Sequence, residues 1–276
     1  MFHDSVDNAL ALRGEYSGDQ SPQNLISRCP VLQELCLETQ WIGDDFNSIP
    51  LDKIKISSPC LKTLRIQHCS FEGEVLIDAP KLEYLYIEDD EIRTKYSLTN
   101  PWSLVEVHIN KFCDTVVELL TCVSVAKRLM LASQSLWAIR HFHHDNVPTM
   151  FPNLVKLDVD IHWSWESWSV LFNVLHKMPL LEQFTISYLH LPGDIDHTSG
   201  ILPLETPNCL RFKMKEITIL NEGVVTRRQV ILIGYLLRHS TVLERVTLNA
   251  NNIEPELRKE LLNFQCGSHM CRIELL

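Results

Sequence analysis

The segment Pro80-Lys81-Leu82-Glu83-Tyr84-Leu85-Tyr86-Ile87 carries the pattern that decides the fold, which is apolar-x-x-apolar-x-apolar preceded by a proline. The pattern occurs nine times in the 276-residue chain, with first members Leu32, Leu61, Leu82, Leu104, Ala126, Leu154, Leu181, Met214 and Leu243. Each triplet predicts a short strand whose last two apolar residues point inward. One such strand cannot bury its apolar face alone, so the units must stack on one another.

Two independent features support the repeat. Six of the 13 prolines lie two or three residues before a first member, where the strand has not begun and a missing amide proton is harmless. Three residues in each repeat flank the inward pair, and fewer than a quarter of these are apolar, although 45% of the chain is apolar. Because side chains alternate across a strand, the flanking residues share one solvent-facing surface of a common sheet.

An ordinary α/β domain, with helices of about 10 to 15 residues between its strands, is the alternative architecture. First members at 61, 82, 104 and 126 are only 21 or 22 residues apart. That spacing leaves about a dozen residues after each strand, which is tight for a full helix and two loops. We therefore predict an α/β leucine-rich-repeat solenoid, with a curved parallel sheet on the concave side and short helices and loops on the convex side.

The extent of the repeats predicts three segments. Residues 1–28 form an N-terminal cap or flexible lead-in with a short helix near 22–27, residues 29–205 hold leucine-rich repeats, and residues 206–276 hold the C-terminal repeats and a cap. Helical spacing of apolar residues predicts helices at 135–142, 166–177, 230–239 and 254–264. Prolines predict a loop at 191–208, and a closing strand is predicted at 272–276.

Composition limits the classes of partner. The net charge of −10 argues against nucleic-acid and membrane partners, because both require a basic face. Five basic residues between 211 and 228 are compatible with a local basic patch, although basic residues scattered on a solvated surface are the commoner explanation. Nine cysteines without compact spacing, and an N-terminus without a secretory signal, are typical of a reduced cytoplasmic or nuclear protein. No apolar run has the length of a membrane span.

Four clusters are candidates for chemistry or binding, and each has a simpler interpretation. His141–Asp145 lacks a second group of metal ligands and is interpreted as a surface loop, and Cys266–Cys271 lacks zinc-module spacing and is interpreted as a terminal turn. The three tryptophans within His162–Trp168 are interpreted as partly buried packing, with an exposed aromatic anchor as the alternative. The acidic run Glu88–Glu91 is interpreted as a solvated edge after a strand that could also attract a basic partner. We predict no enzyme activity, no metal and no cofactor.

Several phrases resemble the plant F-box/leucine-rich-repeat proteins. They are Asn24-Leu25-Ile26-Ser27-Arg28-Cys29-Pro30-Val31-Leu32, Ser58-Pro59-Cys60-Leu61-Lys62-Thr63-Leu64 and Ala79-Pro80-Lys81-Leu82-Glu83-Tyr84-Leu85. Pro207-Asn208-Cys209-Leu210 and Tyr235-Leu236-Leu237-Arg238-His239-Ser240 resemble the FBD module that ends many of these proteins, so residues 206–276 are expected to be FBD-like.

The resemblance implies the substrate-recognition region of a receptor in an SCF-type E3 ubiquitin ligase, with an unknown target protein as its partner. The segment that precedes Cys29 is shorter than an F-box and does not resemble one. An SCF adaptor is therefore expected as a partner only if an F-box lies upstream. A stand-alone leucine-rich-repeat scaffold or decoy with no ligase role is the alternative, and the repeat region of a plant immune receptor is a further one.

Recognition of a target is expected to use the concave strand face. Aromatic and arginine side chains are favoured anchors of protein interfaces. On this basis the expected partner-binding residues are Arg65, Tyr84, Tyr86, His108, Lys156 and Asp158.

Overall fold

The structure is a computed structural model that describes residues 2–6, 9–13, 26, 28–38, 53–69, 73–89, 94–143, 147, 149–162, 168–189, 202–203 and 205–276. The chain divides into two compact units, residues 1–127 and 128–276. The predicted segment boundaries at residues 28 and 205 do not coincide with the boundary between the two units, and they stay predictions.

The first unit contains nine strands in its described residues. They are β1 (Phe2–Val6), β2 (Ala9–Arg13), β3 (Glu34–Glu38), β4 (Lys53–Ser57), β5 (Thr63–Gln67), β6 (Glu74–Asp78), β7 (Tyr84–Asp89), β8 (Lys95–Thr99) and β9 (Glu106–Lys111). The larger sheet has the order β1-β2-β3-β5-β7-β9, in which β1 is antiparallel to β2 and the other pairs are parallel. Residues 2–6 and 9–13 of the predicted cap thus form two strands at one end of this sheet.

The apolar residues of each triplet build the core of this unit. In register, Leu64 is paired with Leu85 and Leu85 with Val107, and all three side chains are fully buried. The turn before each strand closes with a backbone hydrogen bond such as Leu82 N to Ala79 O at 3.0 Å. Pro80 occupies the second position of that turn, where its fixed φ fits and no amide is needed. The repeated prolines therefore mark the turns.

A second parallel sheet, β4-β6-β8, returns the chain between the strands of the larger sheet. Alternate side chains on these strands are buried, among them Ile54, Ile56, Val75 and Ile77. Short repeats leave too few residues for a helix, and an extended segment covers the same distance with fewer residues. The unit also has a short 3-10 helix, Pro101–Ser103, and helix α1 (Val116–Cys122).

The second unit has one parallel sheet with its strands in sequence order. They are β10 (Arg128–Leu131), β11 (Lys156–His162), β12 (Gln183–Leu189), β13 (Glu216–Val224), β14 (Arg245–Asn252) and β15 (Arg272–Leu275). Its helices are α2 (Ser133–His143), α3 (Trp168–His176), α4 (Asn208–Phe212), α5 (Arg227–His239) and α6 (Pro255–Leu262). Four predicted helices and the closing strand are confirmed. All of the predicted helix near 22–27 except residue 26, and most of the loop at 191–208, lie outside the described residues.

All nine predicted triplets coincide with parallel strands, and both inward residues of every triplet are buried. The predicted leucine-rich-repeat fold is thereby confirmed in each unit. Side chains between the inward residues point to the opposite face of the sheet, and they are the candidates for recognition.

Candidate protein-binding face

Four neighbouring strands of the first unit, β3, β5, β7 and β9, present alternate side chains away from the core. We call these twelve residues the outer face, and they are Glu34, Cys36, Glu38, Thr63, Arg65, Gln67, Tyr84, Tyr86, Glu88, Glu106, His108 and Asn110. Each of them is exposed or of intermediate burial. Strand pairing places Cys36, Arg65, Tyr86 and His108 in one row across the sheet.

Four of the six predicted binding residues form one cluster on this face. The guanidinium carbon of Arg65 lies 4.9 Å from the centre of the Tyr84 ring and 5.6 Å from the centre of the Tyr86 ring. The His108 ring lies 5.4 Å from the Tyr84 ring and 5.8 Å from the Tyr86 ring, centre to centre. These distances are within the ranges of cation–π and aromatic contacts. The four side chains support one another before any partner arrives.

Two carboxylates hold the polar ends of this cluster. The Tyr86 hydroxyl donates to Glu88 Oε2 at 2.9 Å, and the Asn110 amide Nδ2 donates to Glu88 Oε1 at 3.4 Å. His108 Nε2 lies 2.9 Å from Glu106 Oε1, and the two side chains are 28% and 31% exposed. The Tyr86 and His108 side chains are therefore held both by ring contacts and by the hydrogen bonds of their polar atoms.

The two tyrosines remain neutral hydrogen-bond donors at physiological pH. Burial raises the pKa of the Tyr84 phenol, an effect that the Arg65 guanidinium opposes and the Glu106 carboxylate increases. Burial also raises the pKa of the Tyr86 phenol, and its hydrogen bond to Glu88 raises it further. Since both shifts are upward from a value near 10, both hydroxyls keep their protons at physiological pH, and the proton of Tyr86 is donated to Glu88.

The remaining two predicted residues, Lys156 and Asp158, lie on β11 in the second unit. Their side chains form an ion pair with each other, with Lys156 Nζ 3.1 Å from Asp158 Oδ2. A half-exposed pair of this kind contributes about 0 to 1 kcal/mol to stability. The predicted set thus consists of a cluster of four in one unit and an ion pair in the other, and its role in binding is untested.

A buried polar cluster, which the repeat pattern did not predict, lies at the ends of β7 and β9. Lys111 Nζ donates to Asp89 Oδ2 at 2.9 Å, and both side chains are 0% exposed. The Tyr96 hydroxyl on β8 donates to the same Asp89 oxygen at 2.8 Å. Asp89 and Lys111 are register partners at the inward position that follows the two apolar residues of each strand. Alternation along the strand was the signal that could have found them.

The interpretation of Glu88–Glu91 as a solvated edge after a strand is wrong for Asp89, whereas Glu88 is partly exposed. Glu88 and Asp89 belong to β7, and Asp89 is fully buried because its counter-ion is one repeat away. Asp90 and Glu91 lie outside the described residues.

The other candidate clusters have structural roles where they are described. His141 and His143 belong to helix α2, not to a loop, and the His141 ring stacks on the Trp137 ring at 4.5 Å. Trp168 is buried at the start of α3, while Trp163 and Trp165 lie outside the described residues. Within the described part of the chain, no three metal-binding side chains come together. The helices described there include none that is both long and apolar enough to cross a membrane.

Comparisons with known proteins agree with this architecture. A family model described as FBD-associated F-box protein At5g56370, LRR repeats, matches residues 9–186, which begin at strand β2. F-box/FBD/LRR-repeat protein At5g22660 of Arabidopsis thaliana is 24% identical over 291 residues, covering 95% of this chain and 62% of that protein. FBD-associated F-box protein At5g18780 of the same organism is 26% identical over 278 residues, with 95% and 62% coverage.

The chain thus spans less than two thirds of the length of these curated relatives. The matched family model covers well over half of the chain and starts at β2, within the predicted N-terminal cap or lead-in. The protein belongs to the leucine-rich-repeat family of FBD-associated F-box proteins.

Proposed function

We propose that this chain is the target-recognition region of a substrate receptor in an SCF-type E3 ubiquitin ligase, and that the outer face of the first unit contacts the target. The observation that carries this proposal is the cluster of Arg65, Tyr84, Tyr86 and His108 on a face of the sheet that the core does not use. Membership of a family named for its F-box and FBD segments supports the ligase context.

The cluster suits recognition because its side chains are already ordered. Immobilising a flexible side chain at an interface costs about 0.5 to 1.5 kcal/mol, and tyrosine has few rotatable bonds. The contacts among Arg65, Tyr84 and Tyr86 restrict these side chains in the free protein. A target therefore meets preformed aromatic surface with hydroxyl groups at its edges. The mechanism is binding, and no step of bond making or breaking is required of this chain.

A capture experiment tests the recognition face. The purified chain is immobilised as wild type and as the double variant Arg65→Ala/Tyr86→Ala, and captured proteins are identified by mass spectrometry. Each candidate target is then purified and titrated against both proteins by calorimetry. The double variant Thr185→Ala/Thr218→Ala, on strands β12 and β13 of the second unit, serves as the matched control.

We expect each genuine target to bind the wild type and the threonine variant alike, and to lose at least tenfold in affinity with the Arg65→Ala/Tyr86→Ala variant. Circular dichroism spectra of all three proteins serve as the control for correct folding. Unchanged target binding by the Arg65/Tyr86 variant would show that this face is the wrong one. The ligase context is tested separately, by measuring whether the full-length gene product associates with a purified SCF adaptor and shortens the half-life of the target.

A further inference from the structure

The outer face carries more negative than positive charge. Its four carboxylates are Glu34, Glu38, Glu88 and Glu106, and its one permanent cation is Arg65, so its formal charge is −3 with His108 neutral. This negative charge of the outer face favours a partner that brings positive charge.

Glu88 is the carboxylate best placed to receive that charge. Its hydrogen-bond donors, the Tyr86 hydroxyl and the Asn110 amide, are both uncharged. Among the described residues, no lysine, arginine or histidine forms an ion pair with Glu88. A carboxylate has about four acceptor positions, so two donors leave room for a guanidinium or an ammonium group.

The side chain of Asn110 gives independent support at the same place. Its carbonyl oxygen Oδ1 is buried and has no hydrogen-bond donor within the described part of the chain. Buried acceptors are normally satisfied, and one left without a donor beside a carboxylate adds to the negative potential there. A cationic group that pairs with Glu88 would offset this negative potential.

Two carboxylates of the second unit, in contrast to Glu88, form ion pairs with basic side chains. Glu182 pairs with Lys215 at 2.8 Å, and Glu216 pairs with Arg245. Those carboxylates receive their cations from neighbouring repeats of this same chain. The contrast indicates that Glu88 is not simply one of a series of internally neutralised surface charges.

The contacts of Arg65 show that this face accepts a guanidinium on its aromatic rings. Four strands about 4.8 Å apart, each of about five residues, present a surface of about 14 Å by 17 Å. An extended segment of about five residues spans a surface of this length.

We propose that the outer face binds an extended basic segment of the target, and that an arginine or lysine of this segment packs on Tyr86 and pairs with Glu88. This inference rests on the proposed function and specifies the chemistry of the target. The aromatic rings supply apolar contact for the aliphatic stem, Glu88 supplies the counter-charge, and the Tyr86 hydroxyl stays bonded to the same carboxylate.

The test uses a fluorescein-labelled seven-residue peptide of alternating arginine and serine, titrated by fluorescence anisotropy against the whole chain. A peptide with citrulline in place of arginine has nearly the same shape without the charge. The protein variants are Glu88→Gln, which keeps one acceptor oxygen for Tyr86, and Glu244→Gln. Glu244 is an exposed carboxylate of the second unit, so both variants change the net charge equally.

We expect the arginine peptide to bind wild type and Glu244→Gln alike, and to bind Glu88→Gln about tenfold more weakly, as expected for the loss of one charge-assisted hydrogen bond. The citrulline peptide should bind all three proteins equally weakly. Equal weakening by both glutamate variants would show general attraction to an acidic protein and would overturn the proposal. Failure of the arginine peptide to bind at about 1 mM would also overturn it.

The outcomes also separate this inference from the proposed function. A captured target that loses affinity with Arg65→Ala/Tyr86→Ala and keeps it with Glu88→Gln refutes the basic segment and leaves the recognition face in place. A target that is insensitive to both variants refutes the recognition face itself.

Discussion

Replacement of Asp89 by asparagine removes the counter-ion of a lysine that has no contact with solvent. Lys111 and Asp89 are both 0% exposed, and their charged atoms are 2.9 Å apart. Tyr96 donates to the same carboxylate oxygen, and burial, followed by the Asp89 charge, holds the pKa of its phenol well above the usual value. Tyr96 is therefore a permanent donor, and asparagine would keep an acceptor for it. The effect of Asp89→Asn thus isolates the loss of charge.

Asp89→Asn should lower the free energy of unfolding by about 3 to 5 kcal/mol, because breaking a buried ion pair leaves a desolvated charge without its counter-ion. Lys111→Met should cost a similar amount for the same reason, with the carboxylate now lacking its ammonium. In the double variant Asp89→Asn/Lys111→Met both charges are gone and an apolar stem fills the space. Its stability should lie within about 2 kcal/mol of the wild type, so the two changes couple by at least about 4 kcal/mol.

The assay is urea unfolding of the four proteins of this cycle at neutral pH, followed by far-ultraviolet circular dichroism. Since a protein has only about 5 to 15 kcal/mol of stability, a single variant of Asp89 or Lys111 is expected to unfold at much lower urea or to be recovered poorly. The yield of soluble, folded double variant is then the second readout. The reasoning is refuted if the losses of the two single variants simply add in the double variant, or if Asp89→Asn costs less than about 1 kcal/mol.

Three further predictions concern the second unit. Thr226 and Gln229 form a capping box at the start of α5. Thr226→Ala should therefore lower the free energy of unfolding by about 1 kcal/mol, whereas Thr226→Ser should keep most of the stability that the cap contributes, both measured in the same urea titration. A methyl group at Gly267 would collide with the backbone oxygen of Arg238, so Gly267→Ala should cost about 1 to 3 kcal/mol, whereas Cys266→Ala one residue earlier should cost less; equal effects would contradict the collision. Burial, followed by the charges of Arg238 and Arg211, lowers the pKa of His239. The unfolded chain therefore binds this proton more tightly, and stability is lost as the pH falls from about 6.5 through the lowered pKa. His239→Asn should reduce that acid sensitivity, measured as the change in urea midpoint between neutral and mildly acidic pH, and an unchanged sensitivity would exclude His239 as its source.

The repeat pattern was sufficient to predict the main sheets because burial in this fold depends on alternation along the chain, which is written directly in the sequence. It predicted the strand positions of Leu85 and Ile87 and, from the same alternation, the outward direction of Tyr84 and Tyr86. The small sheet β4-β6-β8 was missed, although Ile54 and Ile56 show the same alternation. The short spacing between repeats argues against a helix, but the chain must still return to the start of the next strand. An extended strand covers that distance with few residues.

The details of the outer face depend on pairing between repeats, which a pattern within each repeat does not contain. Arg65 contacts Tyr84 and Tyr86 because β5 and β7, one repeat apart in the sequence, are paired in register. The same reasoning explains why Asp89 and Lys111 were overlooked. Each is a charged residue at an inward position and looks anomalous alone, whereas the spacing of the repeats makes them neighbours of opposite charge. In a stacked-repeat protein, a charged residue at an inward position is therefore best interpreted together with the residue one repeat away. If that residue carries the opposite charge, the pair predicts a buried ion pair that fixes the register of the two strands, and the Asp89/Lys111 cycle measures how strongly it does so.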